Sequence, residues 1–261
     1  MTTERGAARR LTLTALPGFP LVEPDADLAA LILEGVARAG ETLDDRDVLV
    51  VAQKIVSKAE NRYADLRTVE PSERARALAR EVDKDPRLVE VILRESTEVV
   101  RYRIGVLVVA HRLGFVLANA GVDQSNITHE GELDRVLLLP ENPDASAARL
   151  REELGARAGV DVGVIINDSL GRPWRNGTVG VALGAAGVVC LQDLRGTADL
   201  FGRTLQVTEV GVGDELASAA SLLMGQAGEG TPVILARGVD LAGSWMGASA
   251  LLRVKSQDLF R

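Results

Sequence analysis

The sequence predicts an α+β fold of irregular mixed sheets with flanking helices, and three observations carry that expectation. Strand-like runs such as RLTLTAL and DVGVIIND interleave with runs of helical period such as DADLAALILEGVARAG. Their order is not a regular strand–helix alternation, which disfavours a doubly wound parallel sheet. Hydrophobic residues make up 46% and charged residues 26% of 261, the balance of a globular enzyme rather than a disordered or fibrous chain. No internal repeat, low-complexity tract or linker is visible; length alone does not decide between one domain and two, and residues 1–261 read as one domain, with two intertwined subdomains as the alternative.

Each element has a local reason. RLTLTAL alternates as a strand. In DADLAALILEGVARAG, Leu28, Leu31, Ile32 and Val36 share one helical face, with Gly40 as a stop just past the end. DVLVVAQKIVSKAE begins as a buried strand and then turns polar. Residues 72–82 and 85–94 read as two charged amphipathic helices split near Asp83. EVVRYR, GVLVVAH and GFVLANA follow as three short strands. PDASAARLREELGARAG is a helix with a Pro-Asp start. DVGVIIND is an apolar strand, TVGVALGAAGVVCL a glycine-rich extended run, DELASAASLLMG a helix ending on Gly225, and TPVILARG a last strand.

Composition also excludes. The net charge of −7 argues against non-specific nucleic-acid binding. No run approaches the roughly 18 apolar residues of a membrane span, and the N-terminus lacks a signal pattern, so the expected location is the cytoplasm. The single Cys190 cannot form an internal disulfide and reads as a small buried hydrophobe. His111 and His129 are too few for a His-rich zinc site, so metal ligands would be oxygens and the metal Mg²⁺, Mn²⁺ or Ca²⁺. No Gly-Lys dipeptide is present for a Walker loop, and no G-x-G-x-x-G opens a helix after a strand.

Polar groups at strand ends remain as candidates for chemistry. LANAGVDQSN sets Asp123 and Asn126 in a loop after a strand; VIINDSLGR sets Asp168 and Ser169 at what reads as another strand end. LLMGQAGEGTPV sets Gln226, Glu229 and three glycines between a helix and a strand. Two carboxylates, a hydroxyl and an amide oxygen suit one or two hard cations, which commonly also bind phosphate oxygens. Aspartate equally favours turns and caps, so spacing alone leaves both interpretations open.

Taken together, LPGFPLV, DVLVVAQKIVSKAE, NAGVDQSN, DSLGRPWRNGTVGVALGAAG, DLFGRTLQVTEVGVGDELASAASLLMGQAGEGTPV and the later RG resemble the coenzyme F420:L-glutamate ligase family. The matching stretches run in order from residue 17 to residue 238. The resemblance is to the stand-alone form without the nitroreductase-like domain. It implies a family-specific fold forming an intertwined homodimer. It also implies a GTP-dependent amide ligase, with two divalent cations (Mn²⁺ or Mg²⁺) and K⁺ as an activator. Such an enzyme adds L-glutamate to the F420 precursor and then further gamma-linked glutamates. A ligase with another carboxylate acceptor, or a non-catalytic nucleotide-binding dimer, are the alternatives.

The resemblance also assigns residues. Asp123 and Asp168 match ligands of a first metal and Ser169 a ligand of a second. Gln226 stands where some relatives place a glutamate on that second metal. Lys58 matches a GTP-contacting lysine, Gln53 and Lys54 a nearby contact pair, and Asn126 a GTP-contacting asparagine. The segment Gly18, Phe19, Pro20, Leu21, Val22 and the segment Met224, Gly225, Gln226, Ala227, Glu229, Gly228, Gly230, Thr231 match GTP-binding stretches. Bare glycine lets backbone N–H groups approach phosphate oxygens. Arg172 and Arg175 are expected to meet substrate oxyanions, since guanidinium forks match them. Trp174 is expected to stack on the flat deazaflavin or to pack at the dimer interface. The glycines after Asn176 are expected to allow close backbone approach.

Overall fold

The computed structural model describes residues 9–124, 134–239 and 245–259. The first half of the chain holds β1 (Thr12–Ala15), α1 (Leu28–Arg38), β2 (Val48–Ala52), α2 (Gln53–Ala59) and β3 (Tyr63–Asp65). It continues with α3 (Glu73–Val82), α4 (Pro86–Arg94), β4 (Ser96–Arg103), β5 (Val106–His111) and β6 (Val116–Ala118). The second half holds β7 (Arg135–Leu137), α5 (Pro143–Ala158), β8 (Gly163–Arg172) and β9 (Arg175–Ala186). Last come β10 (Gln192–Asp193), β11 (Glu209–Val210), α6 (Val212–Met224) and β12 (Val233–Arg237). The fold is α+β, as expected.

Five strands form the central sheet in the order β1-β12-β2-β8-β9. Only β2 and β8 run parallel; the other pairs are antiparallel. Side chains alternate across a sheet, so VLVVA of β2 feeds two cores at once. Leu49 and Val51 pack with Ile32 and Val36 of α1, Ile55 of α2 and Leu150 and Leu154 of α5. Val48 and Val50 pack on the other side with Leu216, Ala217 and Ala220 of α6. Helices therefore cover both faces. Asp47, 1% exposed, receives Nε (2.9 Å) and Nη2 (2.7 Å) of Arg237, clamping the start of β2 to the end of β12.

A smaller layer packs α3 and α4 on the β4-β5-β6 sheet. Its helices start and stop where short polar side chains supply the missing hydrogen bonds. Ser72 accepts from the Ala75 N–H and Asp85 from the Arg87 N–H, with Pro86 in the first turn of α4. Asp83 ends α3 in the left-handed region at φ 52°. Phe115 and Leu117 join this layer to the main sheet through Leu139 and Leu183.

Several expectations need correcting. The strand carrying Asp168 and Ser169 does not end there: it runs on to Arg172, because β9 pairs with it throughout, from Asp168↔Val181 and Ser169↔Gly180 to Arg172↔Arg175. The polar tail of the β2 segment is helix α2, so Lys58 sits on a helix rather than at a strand end. Of the glycines after Asn176, Gly180 and Gly184 do allow close backbone approach, but to helices α6 and α5. A Cβ on Gly180 would come within 2.6 Å of the Ala217 carbonyl carbon on α6, and one on Gly184 within 2.6 Å of Pro143 Cβ at the start of α5. Cys190 is fully buried in the second core; burial, with Asp144 and Asp214 nearby, pushes its thiol up to about 12. His111 is buried too: its Nδ1 accepts from the Leu113 N–H (3.0 Å) and its Nε2 lies 3.4 Å from Glu95. Neither is placed to act as a nucleophile. His129 lies outside the described residues.

Candidate active site

A cleft of about 600 Å³ opens where β2 gives way to α2. The backbone explains its position. Ala52, the last residue of β2, pairs with Asn167, and beyond that point no strand among the described residues covers the edge of β8 on that side. The Ser169 N–H on that strand is satisfied by the Asp168 carboxylate at 2.8 Å. Helix α2 turns away and offers Lys54 and Lys58, one turn apart, to the opening.

Charge in the cleft is concentrated on one wall. Lys54 Nζ lies 2.7 Å from Asp123 Oδ2. Burial pushes Asp168 up to about 6, and the Asp123 carboxylate adds to that shift, while the Ser169 N–H and Lys54 oppose it. Two carboxylates close enough to feel each other in a partly desolvated cleft are stabilised by an added cation. The donors are hard oxygens, Asp123, Asp168 and the Ser169 hydroxyl, and they suit Mg²⁺ or Mn²⁺. Among the described residues no group of three or more His, Cys, Asp or Glu is arranged to hold a metal ion by itself, so the rest of any cation's shell would come from ligand oxygens and water. Lys58 is pushed down by burial and by Lys54, against the pull of Glu23.

On the opposite side of the β8–β9 ribbon, the ribbon residues that line the cleft (Asn167, Ser169 and Thr178) are uncharged. Alternation along β8 turns Asn167 and Ser169 towards α6 and Asp168 towards α2. Asn167 Nδ2 indeed lies 3.3 Å from Ser221 Oγ and 3.3 Å from Met224 Sδ, both on α6. Thr178 of β9 lines the cleft nearby.

Two loops close the remaining sides. Phe19, Pro20, Leu21 and Val22 line one, and Gly18, in the left-handed region at φ 65°, turns the chain into it without lining the cleft itself. Met224, Gly225, Gln226, Ala227, Gly228, Glu229, Gly230 and Thr231 line the other. This second loop is stitched internally: Glu229 Oε2 accepts from the Ala227 N–H (2.8 Å), and Thr231 Oγ1 donates to the Leu223 carbonyl (3.0 Å). A Cβ on Gly225 would overlap the Glu229 carboxyl group, so the fold of the loop requires glycine there.

Most residues singled out in the sequence thus meet in one place: Asp123, Asp168, Ser169, Gln226, Lys54, Lys58 and both loops. Gln53 also lines the cleft, but it is 3% exposed and its Oε1 accepts from Ser57 Oγ at 2.9 Å, so it braces α2. Arg172, Trp174 and Arg175 are not among the lining residues; they sit at the tip of the β8–β9 hairpin, with Trp174 82% exposed and at φ 58°. Asn126 lies outside the described residues. Sequence reasoning missed Asn167, Thr178 and Pro232. For Asn167 there was a signal, since asparagine is depleted from strands and this one interrupts an apolar run.

By comparison with known proteins, this chain belongs among the ligases. The family described as F420-0:Gamma-glutamyl ligase matches residues 18–238, and the chain belongs to that family. A Methanopyrus kandleri protein named Coenzyme F420:L-glutamate ligase is 46% identical over 260 residues, 98% of this chain and 100% of its own. Proteins of the same name from Methanothermobacter thermautotrophicus (44%, 96% of this chain and 99% of its own) and Archaeoglobus fulgidus (40%, 97% of each) are similarly related.

Proposed function

We propose that this protein is a GTP-dependent ligase that joins L-glutamate to the F420 precursor F420-0 and then adds further gamma-linked glutamates, releasing GDP and phosphate each time. The observation that carries the proposal is the convergence of Asp123, Asp168, Ser169, Lys54, Lys58 and a glycine-rich loop on one cleft, in a chain of this family.

A carboxylate does not react with an amine at neutral pH, because oxide would have to leave. In the proposed route an acceptor carboxylate oxygen attacks the γ-phosphorus of GTP, the bond to the β-phosphate oxygen breaks, and GDP departs. The amine nitrogen of glutamate then attacks the acyl carbon, phosphate leaves with one former carboxylate oxygen, and the nitrogen gives up a proton. Lys54 and Lys58 supply positive charge to the triphosphate, and the backbone N–H groups of the Met224–Thr231 loop approach its oxygens. Asp123 and Asp168 would hold one divalent cation, and Ser169 with Gln226 a second; these offset charge on the transferring phosphoryl group. Neutral Gln226 makes the second position the weaker one. Activation by K⁺, a homodimer and a cytoplasmic location complete the proposal.

Mass spectrometry of products from GTP, Mn²⁺, L-glutamate and F420-0 tests it. With ¹⁸O in the acceptor carboxylate, one labelled oxygen should appear in the released phosphate. Label retained entirely in the amide would refute the acyl-phosphate, and turnover only with another carboxylic acid would refute the acceptor. Nucleotide binding without turnover would leave the protein a binding dimer.

A further inference from the structure

Buried polar groups normally have partners, so each exception asks for a cause. Among the described residues two side-chain atoms are buried without a hydrogen-bond partner, His111 Nε2 and Asn167 Oδ1. The first faces Glu95 at 3.4 Å, away from the cleft residues. The second belongs to the cleft wall. Asn167 is 4% exposed, and its amide is held in one orientation. The Met224 thioether can accept a hydrogen bond but not donate one, so the amide nitrogen faces α6 and the oxygen is left over. Asn167 is the last residue of β8 that β2 pairs with, and it lines the cleft there.

Three kinds of group could complete it. A phosphate oxygen is excluded, because two acceptors repel. Of the two cations proposed above, the first is served by the two carboxylates on the opposite side of the strand, and the second would already hold the Ser169 hydroxyl and the Gln226 amide oxygen. A nitrogen or oxygen carrying hydrogen fits; among those the proposed reaction brings (the ribose hydroxyls and guanine N–H groups of GTP and the attacking amine), only the amine must lie beside the phosphoryl group that the charged wall serves. We infer that Asn167 positions the amine of the incoming amino acid by accepting one of its N–H hydrogens, an inference that rests on the ligase function proposed above. The chemistry favours an amide over a carboxylate at this place. A carboxylate would stabilise the ammonium form, whose nitrogen has no lone pair to attack with. A neutral carbonyl orients the free amine and leaves its lone pair available. Asn167 is thus a positioning residue, and the pair Asn167–Asp168 divides the labour: one residue for the nucleophile, the next for the phosphoryl group.

The test uses the full chain with GTP, Mn²⁺ and F420-0, comparing wild type, Asn167→Ala and the isosteric Asn167→Asp. Asn167→Ala should raise KM for L-glutamate about tenfold, the weight of one hydrogen bond, with KM for GTP changed less than about twofold. Asn167→Asp keeps the packing and should move the acidic limb of kcat/KM for L-glutamate to higher pH by about one unit. In competition with hydroxylamine, which needs no positioning, both variants should form more hydroxamate relative to glutamyl amide than wild type does. An unchanged KM for L-glutamate, an equal rise in KM for GTP, or an unmoved pH limb would overturn the inference. If wild type itself forms neither hydroxamate nor amide, the ligase function fails instead, and the two outcomes are distinct.

Discussion

Gly180 offers the sharpest link between packing and activity. It lies on β9 directly opposite Ser169, and α6 rests against it. A Cβ placed there would lie 2.6 Å from the carbonyl carbon of Ala217, where ordinary contact begins near 3.4 Å. Ala217 is backbone in the middle of a helix, so no side-chain rotation relieves the clash; α6 must recede by roughly 1 Å. Overpacking of this kind costs about 1–3 kcal/mol. Removing a glycine from a strand returns some 0.5–1 kcal/mol, which leaves a net loss of up to about 2.5 kcal/mol. At about 2–4 °C per kcal/mol for a chain of this size, Tm should fall by up to roughly 10 °C. Activity should suffer more. Helix α6 carries Ser221 and Met224, which hold Asn167 and start the glycine-rich loop, and a displacement near 1 Å can cost about 10²-fold in rate. The assay is thermal unfolding followed by circular dichroism, with steady-state ligation alongside. Gly171→Ala is the control, since a Cβ at Gly171 meets nothing within 4 Å. Should Gly180→Ala unfold within about 1 °C of wild type and keep full activity, the account of β9 as a glycine-smoothed bed for α6 is wrong.

The other expectations concern charge. Asp123→Asn and Asp168→Asn should each reduce ligation by more than about 10²-fold while circular dichroism stays native; near wild-type turnover at saturating Mn²⁺ in either would remove that residue from the metal site. Gln226→Glu should let activity saturate at lower Mn²⁺, and an unchanged titration would mean that Gln226 does not face a metal. Glu95 is held below its ordinary carboxylate value, chiefly by His111, whose Nε2 lies 3.4 Å from it, and also by Arg112, against the opposing effect of burial. Its folded-state value lies below its unfolded one, so its stabilisation is full above about pH 4.5 and fades as pH falls through the folded value. Glu95→Gln should therefore lower Tm at pH 7 and lose that deficit in acid; a deficit constant from pH 7 to pH 3 would contradict the assignment.

What could be read in the chain and what could not differ for physical reasons. Asp27, Ser72, Asp83 and Asp85 mark helix ends because capping is local chemistry between residues two to four apart. Periodicity located α1 and α6 for the same reason. The extension of β8 past Asp168 was invisible, since it depends on β9 returning alongside it. Strands β3 and β7 escaped because each is three residues long and pairs across some 70 residues of chain. The cleft was legible as a set of residues through family likeness, but its division into a charged wall and an uncharged one was not. That division follows from the side-to-side alternation within β8, which a strand ending at Asp168 would not have.

The pairing of β1 with β12 and of β2 with β8 has a consequence for how the molecule is made. Thr12 finds Arg237, and Val48 finds Gly163, so the main sheet joins segments more than a hundred residues apart. Closing such loops carries an entropic cost before any contact repays it, and topologies of this kind fold slowly. The α3–α4 layer, whose strands and helices are near neighbours in sequence, can assemble as soon as it leaves the ribosome. The central sheet must wait for β12, its second strand in space and its last in time. Until then β1 and β2 expose edges that should sit on either side of a strand not yet synthesised, and the cleft lacks its glycine-rich loop. The nascent chain is therefore without its glycine-rich loop, and most prone to pair with the wrong edge, until β12 has been translated.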